Sequence, residues 1–590
     1  MRATLFLFLL ASLLTAPAGA AKPFYRTPEG FTVAKDLPAD FSARIRSIRF
    51  DRRGPFAGTA AYTGVEKWGY ALLSRLHITS REGTVRRRLL FEPGAEIDRE
   101  RLLETERALR AEEFLSDAYV AAGPVAGGSC DIVVTTFDQW TTLVAGGPKV
   151  LALNADDLLH WRLDEILGEE WYWWVGISES NLAGSGTRLG GAYRHDPLRN
   201  SLEATFSNMN VTPWRLQASG SLAALSDGHL ATAILARPLL SRSDRYAFSV
   251  SVSSQEISER IWFDANRLDT LPKALAEEKA GAPHELRVFD RVATQACTAW
   301  VAQAWGTERR FTFGPAFLYR ERYDLGGFGQ PDSALSAFAP LPASAQAPET
   351  RKDILIGATA GLNRIQLHTA RNFRNLKWTE SVEAGWRLTG KAALNQAWLG
   401  AGDRDFRLHA EAAAAQLWDG SVWLNAGGAW QAFVSPAGRF ADGQADLMGE
   451  AAWLESPRTA TWLTASWSNL FSTPASVQLP LGELNGLNGF PSYYFAGQAR
   501  FLATAEQRLF PEWEWVTMVP AFAAFVTAGN TFPEWRDFET GALHWSAGFG
   551  LRLGRSKSTQ KLVQHVNVNV PLGEPLLPGV VVSVLAKKSL

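Results

Sequence analysis

From Arg500 to Phe510 the chain alternates. Phe501, Ala503, Ala505 and Leu509 fall on one face of an extended strand, and Arg500, Thr504, Glu506 and Arg508 on the other. The same holds for His544–Gly554, where Trp545, Ala547, Phe549, Leu551 and Leu553 face one way and His544, Ser546 and Arg552 the other. Such segments recur from Trp171 onward, separated by Gly, Asp, Asn and Pro. They are Trp171–Ser178, Thr187–His195, Ser201–Asn208, Arg215–Leu225, His229–Leu239 and Tyr246–Ser254, then Thr294–Trp305, Arg310–Tyr323, Asp353–Ile365 and Glu380–Leu388. Asp405–Trp418, Val422–Val434, Ala445–Leu454, Thr461–Asn469, Arg500–Phe510, Met518–Gly529, His544–Gly554, His565–Pro571 and Val580–Lys587 complete the run. That is about 19 segments, each close to the length that crosses a bilayer as a tilted strand. An apolar face backed by a polar one suits a barrel wall between lipid and a wet lumen. A soluble sandwich would alternate too, but would not need so many near-equal strands in one run. Spans 266–292 and 324–352 are weakly patterned and read as long extracellular loops. A Gly-rich loop, about 472–498, precedes Arg500 and is too long for a hairpin turn.

Upstream the period changes. Ile45–Phe50 is a short strand, Thr84–Leu90 a basic amphipathic stretch, and Pro93-Gly94 a turn. Asp98 can N-cap a helix Arg99–Arg110, with Leu102, Leu103 and Leu109 as its apolar stripe. Tyr119–Ala122 and Asp131–Thr135 are strands joined through Gly127-Gly128. This predicts an α+β domain over 43–142, preceded by a lead-in at 21–42. Residues 143–170, with the acidic stretch Asp156–Glu170, read as a linker, a solvated connector or a short helix capping the barrel. The barrel is expected over 171–590.

Composition adds the compartment. The 590 residues carry net charge −1, which argues against a nucleic-acid partner. They include 23 Trp, suited to membrane interfaces. Residues 1–20 read as a signal peptide: Arg2, an apolar run Leu5–Leu14, then Ala18-Gly19-Ala20. The apolar run is about half the roughly 20 residues a membrane helix needs, and no Cys follows the cleavage site. Cys130 and Cys297 fall in different predicted domains and read as free, buried thiols.

Candidate chemistry is sparse. Gly184-Ser185-Gly186 is not a nucleophile elbow, and nine His and two Cys make no ligand-spaced metal site. His160, His195 and His544 are candidates for a Ser/His site by residue type only. No catalytic residue, metal or cofactor is expected, and the chain does not read as an enzyme.

Leu487-Asn488-Gly489-Phe490, followed by a strand with Glu506-Gln507-Arg508, resembles the loop-six segment of the BamA/TamA superfamily of outer-membrane proteins. The run LLFEPGAEIDRERLLETERALRAEEFLSDAYV resembles that family's POTRA domain, with Asp138-Gln139-Trp140-Thr141 as its exit. Glu179-Ser180-Asn181-Leu182-Ala183-Gly184-Ser185-Gly186 resembles the hinge between its first two barrel strands. The resemblance implies one POTRA-like periplasmic domain followed by a transmembrane antiparallel β-barrel of about 16 strands. In the family a loop arginine pairs with the strand glutamate, here Glu506, and with an aspartate of Phe-x-Asp-x-Gly. Here those arginine and aspartate positions are Asn488 and Thr527, both neutral. The joint change avoids stranding a buried charge, and Asn488 could hydrogen-bond Thr527. Glu506 is left to pair with Arg508. The implied seam joins the first strand (Trp171, Val175) to the last (Val580, Val582, Val584). The chain ends Ala586-Lys587-Lys588-Ser589-Leu590, without the family's terminal aromatic.

The implied function is insertion of outer-membrane proteins or translocation of polypeptides. The implied partners are unfolded outer-membrane or exported polypeptides, outer-membrane lipid, and periplasmic chaperones or accessory lipoproteins. A passive pore or surface-structural barrel that has lost insertase activity is the alternative, and an outer-membrane hydrolase the third reading.

Overall fold

The computed structural model describes residues 27–55, 77–150, 153–154, 172–195, 199–212, 214–241, 244–266, 285–324, 351–371, 373, 379–402, 405–473, 477–511, 513, 518–555, 562–574, 577 and 579–588. The signal-peptide reading, Trp171, His160 and the acidic stretch lie outside them.

The N-terminal module is β1 (Thr32–Val33), β2 (Ser42–Arg53), α1 (Glu82–Arg86), β3 (Glu96–Asp98), α2 (Arg99–Arg110), β4 (Leu115–Ala122) and β5 (Ser129–Asp138). Its strands form one sheet in the order β1-β4-β5-β2-β3, with β2 parallel to β5 and the other pairs antiparallel. Asp98 caps α2 as its position predicts, accepting the Arg101 amide at 2.7 Å. Leu102 and Leu109 are fully buried with Ile45, Val85, Phe114, Val120 and Ile132 in one core. Truncating either leucine to alanine would cost about 2–5 kcal/mol. Cys130 is buried here, and Cys297 is half-buried in the barrel wall; both are free. The expected lead-in belongs to this module: Thr32 and Val33 pair with Ala122 and Ala121, and Ala34 is buried in the core.

The barrel starts at β6 (Thr142–Val150, prolonged by Leu153–Asn154) and continues through β7 (Tyr172–Glu179), β8 (Thr187–His195), β9 (Ser201–Asn208), β10 (Gln217–Leu225) and β11 (Gly228–Arg237). Next come β12 (Tyr246–Trp262), β13 (Glu285–Trp305), β14 (Arg310–Asp324), β15 (Arg351–Arg371), β16 (Thr379–Asn395), β17 (Phe406–Trp418), β18 (Val422–Val434), β19 (Phe440–Ser456) and β20 (Thr459–Phe471). A separate small hairpin, β21 (Leu479–Leu481) and β22 (Phe495–Gly497), interrupts the wall. The wall resumes with β23 (Ala499–Leu509), β24 (Met518–Phe532), β25 (His544–Arg555), β26 (Leu562–Leu572) and β27 (Val581–Lys588). The strands close into one antiparallel barrel of 20 among the described residues.

Every alternating segment of the sequence is a strand of this wall. The count of about 16 taken from resemblance is therefore corrected to 20. The remaining strand is β6, which replaces the expected linker over its residues. Its Val144-Ala145-Gly146-Gly147-Pro148 run is too poor in alternation to read as wall, and glycine and proline weaken a strand. The glycine has a use: a side chain on Gly146 would stand 2.8 Å from the Trp174 carbonyl oxygen. Residues 285–292, expected in a loop, are the start of β13 and pair with β12.

Side chains alternate as the pattern requires. Leu509, Phe522, Val526, Phe549 and Leu572 are exposed on the outer face, while Thr527, Ser546, Arg552, Asn567 and Asn569 are buried on the inner one. Short turns obey local chemistry. Between β17 and β18, Asp419 and Gly420 both take positive φ (46° and 67°), which turns the chain so that the Ser421 amide donates to the Trp418 carbonyl at 3.0 Å.

The module sits against one end of the barrel. Asp138, fully buried, accepts the Ser80 amide (2.7 Å) and hydroxyl (2.9 Å), with His77 Nε2 at 3.3 Å. From the β7–β8 turn, Asn181 donates to the same hydroxyl (3.0 Å), and the Gly184 carbonyl accepts from the Arg81 amide and the Thr84 hydroxyl. The Glu179–Gly186 segment thus joins the second and third strands, and clamps onto the module. The far end carries the chain between β20 and β23.

A Gly186→Ala side chain would meet Phe114 at 2.8 Å and Arg88 at 2.7 Å, on a backbone with φ +69°. We expect it to free the module while the barrel stays folded. Hydrogen exchange at residues 80–84 should speed up at least tenfold with an unchanged heat-modifiable gel band.

Candidate functional site

Barrel closure is the joint between β27 and β6. Among the described residues, the last strand pairs with the first through Val581↔Asn154 and Val582↔Leu153. By contrast, β26 and β27 share eight register pairs, as do β6 and β7. Val582 is in the seam, with Val584 further along the same strand and Val580 just before it. Val175 is not: it pairs with Gly146 on one side and Tyr193 on the other, one strand in. The residues of β6 do not alternate, so the strand expected first, β7, is the second. Pro148 lacks an amide donor, so a strand carrying it is suited to an edge.

The lumen loop folds inward beside the wall. Leu487 is fully buried and Phe490 almost so. The carboxylate of Glu483 accepts the amide of Gly489, which closes the tetrad onto its own turn. Gly489, at φ +84°, approaches Asn569 and Pro571 of β26 so closely that a side chain there would stand 3.0 Å from Asn569 Cβ. Phe495 stacks on the His544 ring at 4.3 Å, and Phe490 packs on both. His544 in turn contacts Glu574 and, through Nε2, Asn266 at 3.0 Å. On the other side Tyr493 stacks on Trp262 at 4.7 Å and 8°. Gln478 makes two 2.9 Å bonds to the Trp262 backbone, imitating a strand partner.

The expected Asn488–Thr527 hydrogen bond is absent. Thr527 is fully buried with Thr504 as its hydroxyl neighbour (3.4 Å), and the Asn488 amide oxygen has no hydrogen-bond partner among the described residues. The reason is geometric: Glu483 and the β26 wall hold the tetrad, and not β24. Glu506 pairs with Arg508 as expected, at 2.6 Å. Its second partner, Arg552 on β25 at 3.0 Å, was legible only as an inward polar position. Arg552 also donates to Asn567 Oδ1 (2.6 Å), and Arg508 lies over the Trp462 ring. Two arginines from the wall thus neutralise Glu506.

Neither His195 nor His544 hydrogen-bonds a serine among the described residues. His195 faces Asn200 Oδ1 at 2.7 Å and the Trp173 ring.

No family model matches this chain, and no curated protein does. Among solved structures, BamA from Haemophilus ducreyi lacking POTRA domains 1-3 is similar at 11% identity and TM-score 0.34, over 92% of this chain and 83% of that one. CdiB from Acinetobacter baumannii is similar at 10% identity and TM-score 0.40, over 92% and 74%. CdiB from Escherichia coli is similar at 11% and 0.42, over 92% and 76%. The barrel described above rests on its own ladder of strand pairs.

Two predictions follow from this geometry. Glu506→Gln leaves Arg508 and Arg552 facing each other without their anion, at a cost of about 3–5 kcal/mol. The heat-modifiable band should be lost at a clearly lower temperature, and an unchanged melting profile would contradict the pairing. The second concerns pH. Asp264, in the turn after β12, accepts the Ala496 amide of the loop at 3.4 Å. Burial pushes its carboxyl up to about 6, against hydrogen bonds from Asn266 and Ala496 and the charge of His544. A raised value means the docked loop holds the proton more tightly than the released one. Docking is therefore firmest below the ordinary carboxylate range and weakens as pH rises through about 6. Loop opening, followed as single-channel conductance steps from pH 4 to 7, should become more frequent with pH, and Asp264→Asn should flatten that dependence.

Proposed function

We propose that this chain is an outer-membrane barrel of the BamA/TamA type that assists insertion of outer-membrane proteins or passage of polypeptides. In this reading the N-terminal module is a POTRA-like domain in the periplasm. The observation that carries the reading is the seam, which shows two register pairs among the described residues where the strand pairs flanking it show eight each. Backbone groups left unpaired at that edge cost free energy in hydrocarbon, and an incoming strand that pairs with them relieves the cost. The wall at β6 and β27 then acts as a template, and its reclosure releases the client into lipid. The short edge strands of the module sheet offer a place for an extended client to add as a strand. Partners are unfolded outer-membrane or exported polypeptides, outer-membrane lipid, and periplasmic chaperones or accessory lipoproteins.

The passive-pore alternative is less well supported, because the loop fills the far end of the lumen with Leu487, Phe490 and Phe495.

The test is a seam lock. Leu153 and Val582 are directly opposite, so Leu153→Cys/Val582→Cys should form a disulfide on oxidation. In liposomes we expect wild-type protein to accelerate folding of an unfolded barrel client. The oxidised variant should lose at least tenfold of that rate and regain it on reduction. A matched pair inside the full ladder, Val566→Cys/Val584→Cys, should leave the rate unchanged. Equal rates for open and locked seams would sink the gating role. The paired variant Asn488→Arg/Thr527→Asp reports separately whether a loop ion pair contributes: acceleration by that variant alone would tie activity to the missing pair.

A further inference from the structure

A barrel lumen is ordinarily polar, yet the module-side mouth of this one carries an apolar cluster on the wall from β16 to β26. Leu417, Trp423, Trp462, Val519 and Val563 are buried together, with Phe510 from the turn after β23. The cluster lies across strands other than those whose ends meet the module, β7 to β12. Phe373, between β15 and β16, inserts its ring into the cluster. It stands 5.0 Å from the Trp423 ring, edge-on at 87°, and 5.1 Å from the Trp462 ring. It is 3% exposed.

Two features of this cluster bear on what it could take. First, it borders a cavity of about 400 Å³ on the inner wall. Phe373, Val382 and Trp423 form its apolar side, Glu383, Arg387 and Asn425 its polar rim, and the small Ala413 and Ala415 its floor. That volume suits one side chain with its flanking backbone. Second, the Trp462 indole N–H is buried and has no acceptor among the described residues. A buried unpaired donor is costly, and an incoming acceptor would recover that cost.

We propose that this mouth is a binding site for an aromatic side chain on an extended polypeptide, with Phe373 as its resident stand-in. This rests on the reading of the protein as a polypeptide handler. The client ring replaces Phe373 between Trp423 and Trp462, where edge-to-face contact is favourable. A client backbone carbonyl accepts from Trp462 Nε1, and Glu383 and Arg387 face its polar neighbours. The site selects aromatic-bearing segments at the entrance, before they reach the seam, and Phe373 keeps the mouth dry when no client is present.

The probe is a fluorescein-labelled peptide of glycine, serine and asparagine carrying one phenylalanine, with a twin in which serine replaces it. Binding to the full-length protein in detergent is read by anisotropy. We expect the phenylalanine peptide to bind at least tenfold more tightly than its twin. Phe373→Ala should strengthen that binding severalfold without affecting the twin. Trp462→Phe keeps a ring and removes the donor, so it should weaken the phenylalanine peptide severalfold, with the heat-modifiable band confirming the fold. Equal binding of the two peptides, or no response to Phe373→Ala in a folded barrel, overturns the site. The seam-lock assay is independent. Insertion without peptide discrimination removes this site alone, and discrimination without insertion supports the site while removing the proposed role.

Discussion

In hydrocarbon, no backbone amide or carbonyl can be left without a partner, because no water is available to replace it. A wall of strands must therefore close on itself, and the quality of the closing joint controls everything else. Here nearly every neighbouring pair is a long ladder, while the joint between the first and last strands shows two pairs, at one end, among the described residues. The first strand is the weak member. Gly146, Gly147 and Pro148 give it little to pack and one donor fewer, so the wall is closed where closure is least costly to undo.

The interior shows how the remaining polar groups are managed. Glu506 is held between Arg508 and Arg552, and Asn567 takes the spare guanidinium hydrogen of Arg552. The loop needs no charge of its own to stay inside. It is fixed by Glu483 closing its turn, by stacking of Phe495 on His544 and Tyr493 on Trp262, and by the strand-like bonds of Gln478. Ring stacking and main-chain bonds hold the loop, so Asn488 and Thr527 can both be neutral without contacting each other.

The two ends of the lumen are built differently. The far end is filled by a loop whose contacts mix rings with titratable groups. The module end is lined on one side by the docked module, through Asp138, Ser80 and Asn181, and on the other by an aromatic cluster. A chain travelling from the module would therefore meet apolar surface first and polar wall afterwards.

The sequence by itself determined the wall. Period-2 alternation is a local property, an apolar face against a polar one residue by residue, so the strands from Tyr172 to Lys588 and the inward facing of Glu506 and Arg552 were legible in it. So were the Asp98 cap and the leucine stripe of α2, which depend on neighbours within one turn. Strand number by resemblance was less reliable than strand number by pattern, because barrel circumference follows from which segments pair and not from the family of one loop. Only the tertiary structure decided the rest. It identified the Gly-Gly-Pro segment after Thr142 as the first strand, because an edge is defined by the partner it lacks. It brought Arg552 to Glu506 across the sheet, and set Phe373 between Trp423 and Trp462 from segments far apart in the chain. Those contacts are fixed by register and closure, which are properties of the whole ring of strands and leave no trace in any one of them.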